Sequence, residues 1–242
     1  MVSAKEQTLI FGLHPVIELL RAKKRKITHL FTTKPVPKQW HYMQALLPSY
    51  PIDIKHVSRD ELSRLAGTTD HQGVVAYAQP FVTRNKPFES KKYPFIVVLD
   101  GIQDPRNLGA IIRSASCTNM SGILITQKHS APLNAVAFKA SAGLAEHMSI
   151  RFVPSAEVAV AELQGAGYKI YSTLFEGADA CTMPFAAPCA LVIGSEGVGI
   201  SNIFKKVGTA ITLPQRAPDI SYNVSVAAGI LFFLVASRVG RI

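Results

Sequence analysis

The chain has 242 residues, 48% hydrophobic and 17% charged, with 26 Lys/Arg against 16 Asp/Glu for a formal net charge of +10. That composition is globular, with length enough for one large domain or two smaller ones. Three cysteines without CxxC spacing and seven histidines suggest neither a metal centre nor a disulfide framework, and point to a reduced, cytoplasmic protein. The first residues lack a signal-peptide apolar segment. The longest apolar run, 226–236, is shorter than the ~20 residues that cross a bilayer, so no membrane partner is expected.

In the first eighty residues, periodicity and Pro/Gly punctuation predict helix at 14–22, strand at 27–33, helix at 38–47, strand at 52–58, helix at 59–66 and strand at 73–79. A small α/β domain over 1–80 follows. Residues 81–93, FVTRNKPFESKKY, are polar and aperiodic and read as a linker. From 94 to 242, apolar strands are expected at 95–99, 122–126, 168–173, 189–194 and 209–213, with helical patterns between most of them. That alternation predicts a largely parallel sheet with helices on its faces. Charge divides unevenly: residues 1–92 carry 15 Lys/Arg and 7 Asp/Glu, the remainder 11 and 9. A basic first domain beside a nearly neutral second one fits either a polyanion partner or a solubilising surface. Lys23, Lys24, Arg25 and Lys26 are the densest run.

Three stretches carry the chemistry. In DGIQDPRNLGAIIRSASC (100–117), Asp104 is placed to cap a helix with Pro105 at its first position. Leu108, Ile111, Ile112 and Ala115 form its core stripe, and Cys117 reads as a small core residue. Arg113 projects about 150° from the stripe's centre, toward solvent, a ligand or another chain. Asn107 either contacts a ligand or satisfies free backbone N–H groups. In LVIGSEGVGIS (191–201), glycines at a strand's carboxyl end allow close approach of a ligand, and Ser201 can cap the next helix. Glu196 is placed to hold Arg113, to contact substrate or to tie down the loop. In ITLPQRAPDISYNVSVAAGILFFLVASR (211–238), a loop with Arg216 and Asp219 leads to a helix beginning near Ser221, with Asn223 and Ser225 in its first turn. That helix is apolar on every face and needs cover on two sides, which suggests a dimer. The GxGxxG fingerprint of a dinucleotide site is missing.

Together, DPRNLGAIIRSA, LVIGSEGVGIS and LPQRAPDISYNVSVAAGI resemble the three ordered motifs of the SpoU/TrmH class of RNA ribose 2′-O-methyltransferases. KASAGLAEH (139–147) is similar to a further family segment. FGLHPVIELL (11–20) and HQGVVA (71–76) resemble the N-terminal RNA-binding domain of the branch containing the ribosomal-RNA guanosine methyltransferase RlmB. The resemblance implies a SPOUT fold, a parallel sheet threaded into a trefoil knot. It also implies S-adenosyl-L-methionine as cofactor, no metal, and a homodimer in which Arg113 acts at the partner's cofactor. Asn107, Arg113, Glu196, Asn223 and Ser225 match the family's catalytic positions. Cofactor contacts carry over to Thr173, Leu174, Gly194, Gly199, Leu213, Tyr222, Asn223 and Val224. RNA phosphates are expected on Lys23, Lys24, Arg25, Lys26, Arg106 and Arg216. Two positions depart from the pattern: Pro214-Gln215-Arg216-Ala217 replaces Pro-Met-x-Gly, and Tyr222 stands where Leu is usual. The implied activity is transfer to a ribose 2′-hydroxyl, of a guanosine in 23S ribosomal RNA. The alternatives are a tRNA target or a non-catalytic RNA-binding or ribosome-assembly factor.

Overall fold

A computed structural model describes residues 7–216, 221–240 and 242. It divides into two units, residues 1–82 with 133–147 and residues 83–132 with 148–242. The first contains strands β1 (Thr8–Phe11), β2 (Ile27–Thr32), β3 (Asp53–His56) and β4 (Val74–Ala78), and helices α1 (Leu13–Ala22), α2 (Trp40–Ala45) and α3 (Arg59–Ala66). Its sheet runs β1-β4-β2-β3, antiparallel except between β2 and β3. Each expected element is present within a few residues. Strand β1 is an addition to the expected elements.

Residues 133–147, which the sequence places inside the second domain, pack with the first unit. They form a short helix capped by Asn134 and a 3-10 turn, Leu144–His147. Arg25 joins this segment to the rest. Its Nε donates to Glu146 Oε2 at 3.1 Å, its Nη2 donates to Glu146 Oε1, and Nη1 donates to the Gln79 carbonyl at 2.8 Å. The Arg25 and Glu146 side chains are 2% and 1% exposed, so Arg25 is a buried structural cation. It is withdrawn as a phosphate ligand, whereas Lys23, Lys24 and Lys26 are exposed.

The second unit is built on six parallel strands: β5 (Phe95–Asp100), β6 (Gly122–Thr126), β7 (Ile150–Val153), β8 (Lys169–Asp179), β9 (Cys189–Gly194) and β10 (Thr209–Thr212), in the order β10-β8-β9-β5-β6-β7. Strand β7 was not expected, and β8 runs six residues further than its pattern suggested. Helix α4 (Pro105–Cys117) buries Leu108, Ile111, Ile112 and Ala115 as the stripe requires. Cys117 is exposed, not in the core, because it lies opposite that stripe. Residues 83–93 are not a free tether: Phe88 is buried in the core, Arg84 N–H donates to the Ile150 carbonyl, and the Arg84 guanidinium lies 4.7 Å from the Tyr93 ring. Gly122 leaves room for Phe88, since a Cβ there would stand 2.5 Å from the ring.

Following the 3-10 turn and β7 come α6 (Ala156–Gly165), α7 (Asn202–Val207) and α8 (Val224–Arg238); the helix at Ala135–Ala140 is α5. Helix α8 buries Val224, Ala228, Leu231, Phe232, Val235 and Ala236, and leaves Val226, Ile230 and Phe233 exposed at 50%, 37% and 58%. No helix among the described residues is long and apolar enough to span a membrane.

Candidate active site

The chain moves outward from β5 to β6 and β7, then returns to the other side of β5 for β8 and β9. Strands β5 and β9 are neighbours at that reversal, with Asp100 beside Gly194 at their carboxyl ends. In open parallel sheets this is where ligands bind. Asp104 caps α4 there, accepting from Arg106 N–H at 2.8 Å.

The loop after β9 is a tight reversal. Ser195 N–H donates to the Gly199 carbonyl at 3.1 Å, and Gly199 N–H donates back at 3.0 Å. Gly199 has φ of 73°, the left-handed region that favours glycine. Gly194 is required for a different reason: a Cβ on it would lie 2.3 Å from the Gly199 carbonyl carbon. The far end is held by Asp100, a buried carboxylate that accepts from Thr126 Oγ1 at 3.0 Å and from Ser201 N–H at 2.6 Å. Ser201 occupies the cap position of α7 but its side chain makes no cap hydrogen bond. Asp100 was not singled out in the sequence, although a carboxylate ending the apolar run FIVVL is a visible anomaly.

Asn107, Glu196, Asn223 and Ser225 come together in one polar network. Asn223 caps α8, so that helix starts at Val224 rather than near Ser221. Its Oδ1 accepts from Ser225 N–H at 2.9 Å and from Ser225 Oγ at 2.6 Å. A backbone N–H can only donate, which turns the Asn223 amide nitrogen toward the site. That nitrogen donates to Glu196 Oε1 at 3.2 Å and to Asn107 Oδ1 at 3.3 Å. Asn107 Nδ2 donates to the same Glu196 oxygen at 2.7 Å. Glu196 is therefore held by two amides from two helices and does not pair with Arg113. Arg113 is exposed and makes no hydrogen bond or ion pair among the described residues. It stands about 9 Å along α4 from Asn107, at 1.5 Å per residue.

Two cavities flank this network. One, of about 260 Å³, is lined by Thr173, Leu174, Gly194, Gly199, Leu213, Tyr222 and Val224, seven of the eight expected cofactor residues. The eighth, Asn223, belongs to the network instead. Lys205, Gln215 and Phe175 also line it. The second, of about 250 Å³, is lined by Gln103, Asp104, Asn107 and Glu196. Ser195, Glu196, Gly197, Val198 and Val224 are common to both. The first cavity suits a ligand that is part apolar and part polar, because Leu174, Ile193, Leu213 and Leu231 line it together with Glu196, Lys205 and Gln215. Arg106 and Arg216 are exposed. Asp219 lies outside the described residues.

The model of the SpoU rRNA Methylase family matches residues 94–233, and that of RNA 2′-O ribose methyltransferase substrate binding matches 9–83. An uncharacterized tRNA/rRNA methyltransferase of Mycolicibacterium smegmatis is 32% identical over 97% of this chain and 78% of its own. The 23S rRNA (guanosine-2′-O-)-methyltransferase RlmB of Photobacterium profundum is 31% identical over 93% and 95%. The SpoU methyltransferase AviRb of Streptomyces viridochromogenes, in its crystal structure, superposes with a TM-score of 0.82 over 98% of this chain and 92% of that one, at 21% identity, a likeness in fold. The glycine loop, the three-motif network and the two-part match along the chain have one common source: the chain belongs to the SpoU rRNA methylase family.

Proposed function

We propose that this enzyme methylates the ribose 2′-hydroxyl of a guanosine in 23S ribosomal RNA, working as a homodimer in the cytoplasm. The coarser activity, S-adenosyl-L-methionine-dependent RNA 2′-O-methylation, follows from its family. The observation that carries the proposal is the Asn107–Glu196–Asn223 network standing between two cavities. One cavity takes the methyl donor and the other the target nucleotide. Residues Thr173, Leu174, Gly194, Gly199, Leu213, Tyr222 and Val224 would hold the donor, which supplies an electrophilic sulfonium methyl when bound.

The chain's own task is to orient a weakly acidic hydroxyl and manage its proton. Orientation by itself lowers such a barrier substantially. Glu196, fixed by two amide donors, and Asn107 position groups at the junction of the cavities. Ser225 spends its hydroxyl on Asn223, which makes it a support of the network. Arg113 cannot take a proton, because a guanidinium stays charged in proteins. It instead clamps a substrate phosphate, which accepts or polarises the hydroxyl proton. Its outward direction suits action at a partner's site, and the exposed apolar face of α8 supports a dimer that covers it. The return of β9 between β8 and β5 supports the knotted threading.

Lys23, Lys24 and Lys26 on the first unit would gather RNA phosphates, with affinity falling steeply as salt rises. Incubation with methyl-labelled S-adenosyl-L-methionine and separate 23S rRNA and tRNA pools, followed by mapping of 2′-O-methyl positions, tests the substrate. Label on a 23S guanosine is expected. Label confined to tRNA overturns the ribosomal target, and label on neither RNA favours a binding factor.

A further inference from the structure

Strand β8 does something that the sheet does not need. Tyr171 and Ser172 pair with Thr209 and Ala210 of β10, yet the next pairs are Ala178 with Ile211 and Asp179 with Thr212. Five residues, 173–177, thus leave the ladder opposite none on β10. Excursions of this kind beside active sites re-aim side chains. This one is pinned at both ends. Thr173 Oγ1 donates to the Val192 carbonyl at 2.8 Å, Thr212 Oγ1 donates to the Phe175 carbonyl at 3.0 Å, and Gly177 returns so close that a Cβ would stand 2.7 Å from the Ala210 carbonyl carbon.

The backbone at Phe175 is therefore fixed while the residue is 73% exposed, on the wall of the larger cavity. An exposed aromatic on a tethered backbone at a cavity mouth is poised to cover something flat. Phe175 does not line the second cavity, where Asn107 and Glu196 face the acceptor. A donor whose central sulfonium methyl reaches that second cavity has two arms left for the larger one, and the flat adenine, rather than the charged amino-acid tail, suits the apolar wall that Phe175 shares with Leu174 and Leu213.

We propose that Phe175 is a donor-binding residue whose ring stacks on the adenine of the methyl donor at the cavity mouth. The inference rests on the larger cavity being the donor site, and its test separates the two. The full-length protein is titrated calorimetrically with S-adenosylhomocysteine and with 5′-methylthioadenosine, which keeps the adenine and lacks the amino-acid tail. Phe175→Ala should weaken both ligands by the same factor, about 5- to 150-fold, the range of base–aromatic stacking on truncation. Phe175→Trp should retain binding, and Phe175→Leu should fall between. The KM for RNA should not move. Circular dichroism melting checks that each variant is folded, as the exposure of the ring leads one to expect. Unchanged affinity for both ligands in Phe175→Ala overturns the proposal. So does a loss confined to S-adenosylhomocysteine, which assigns the ring to the tail, or a raised RNA KM at constant donor affinity, which assigns it to an RNA base. Failure of the wild-type protein to bind either ligand overturns the donor site itself.

Discussion

Substituting Gly194 by alanine asks whether the reversal after β9 is what makes the donor site. The new Cβ would stand 2.3 Å from the Gly199 carbonyl carbon, 2.4 Å from Ile200 N and 2.6 Å from the Gly199 oxygen. All three are backbone atoms, so no rotamer change relieves the clash. Ordinary contact begins near 3.4 Å, so this backbone must withdraw by about 1.1 Å. A withdrawal of that size lengthens the Ser195–Gly199 pair, now at 3.1 and 3.0 Å, beyond hydrogen-bonding range. Two hydrogen bonds at about 0.5–1.5 kcal/mol each place the cost near 1–3 kcal/mol, and overpacking costs are of the same size. Because the loop walls the cavity, the cost falls on donor affinity, by roughly 5- to 150-fold. Calorimetric titration with S-adenosylhomocysteine measures it. Gly165→Ala is the control, since nothing lies within 4 Å of its Cβ and its φ is ordinary; it should bind as wild type. Wild-type affinity in Gly194→Ala would refute the argument that close approach at this strand end builds the site.

Arg113→Ala should lower kcat by roughly 10²–10³ or more, the scale of a lost electrostatic stabiliser, while calorimetric donor affinity stays within about twofold; parallel loss of both would contradict a phosphate clamp. Arg25→Ala should destabilise the first unit by about 3–5 kcal/mol, because Glu146 is left buried and unpaired; urea unfolding reads this, and a change under about 1 kcal/mol would count against it. His71 gives a pH effect. Burial and then the Arg59 charge lower its pKa below 6.5, so the unfolded chain binds the proton more readily. The neutral ring's contribution is complete above the unfolded pKa and is lost as pH falls through 6.5 toward the lowered folded value. The geometry agrees: Nδ1 accepts from Gly73 N–H at 3.0 Å, leaving the Nε2 proton for Ser63 Oγ. Melting temperature should drop from pH 7 to pH 5 by less in His71→Asn than in wild type, and an NMR pKa above 6.5 for His71 would reverse the sign.

Local pattern carried most elements of this fold, and the physical reason is visible in α4. Its four-residue stripe is buried on one side only, so period and burial coincide, and Asp104 and Pro105 mark its start by chemistry that acts within three residues. Cys117 was misplaced by residue type, although its angle on the same helix already set it opposite the stripe. Arg25 failed for a different reason. A run of four basic residues reads as one surface, but the third is buried by Glu146, 121 residues away, and no window along the chain contains both. The same separation hid the attachment of residues 133–147 to the first unit. Strands β1 and β7 fell outside the local pattern, although β3 and β10 are equally short and lay within it.

The site shows most clearly where local reading stops. From the sequence, Glu196 has three roles open: holding Arg113, touching substrate, or bracing its loop. Choosing between them requires knowing that β9 lies beside β5, which brings Asn107 to a residue 89 positions later, and that α8 begins at Val224, with Asn223 as its cap, rather than near Ser221. Strand order is decided by which apolar faces bury each other over the whole sheet, and β5, β6 and β9 are each buried along their whole length, so local pattern does not rank them. The excursion at 173–177 is invisible for a related reason. Its residues, TLFEG, lie almost wholly past the strand expected at 168–173, and what sets them outside the ladder is the pairing of Ser172 with Ala210 and of Ala178 with Ile211. A side chain that local pattern leaves unassigned is thereby delivered to a cavity wall, so the residues most able to distinguish the proposed donor site are those whose placement depends on pairing rather than on pattern.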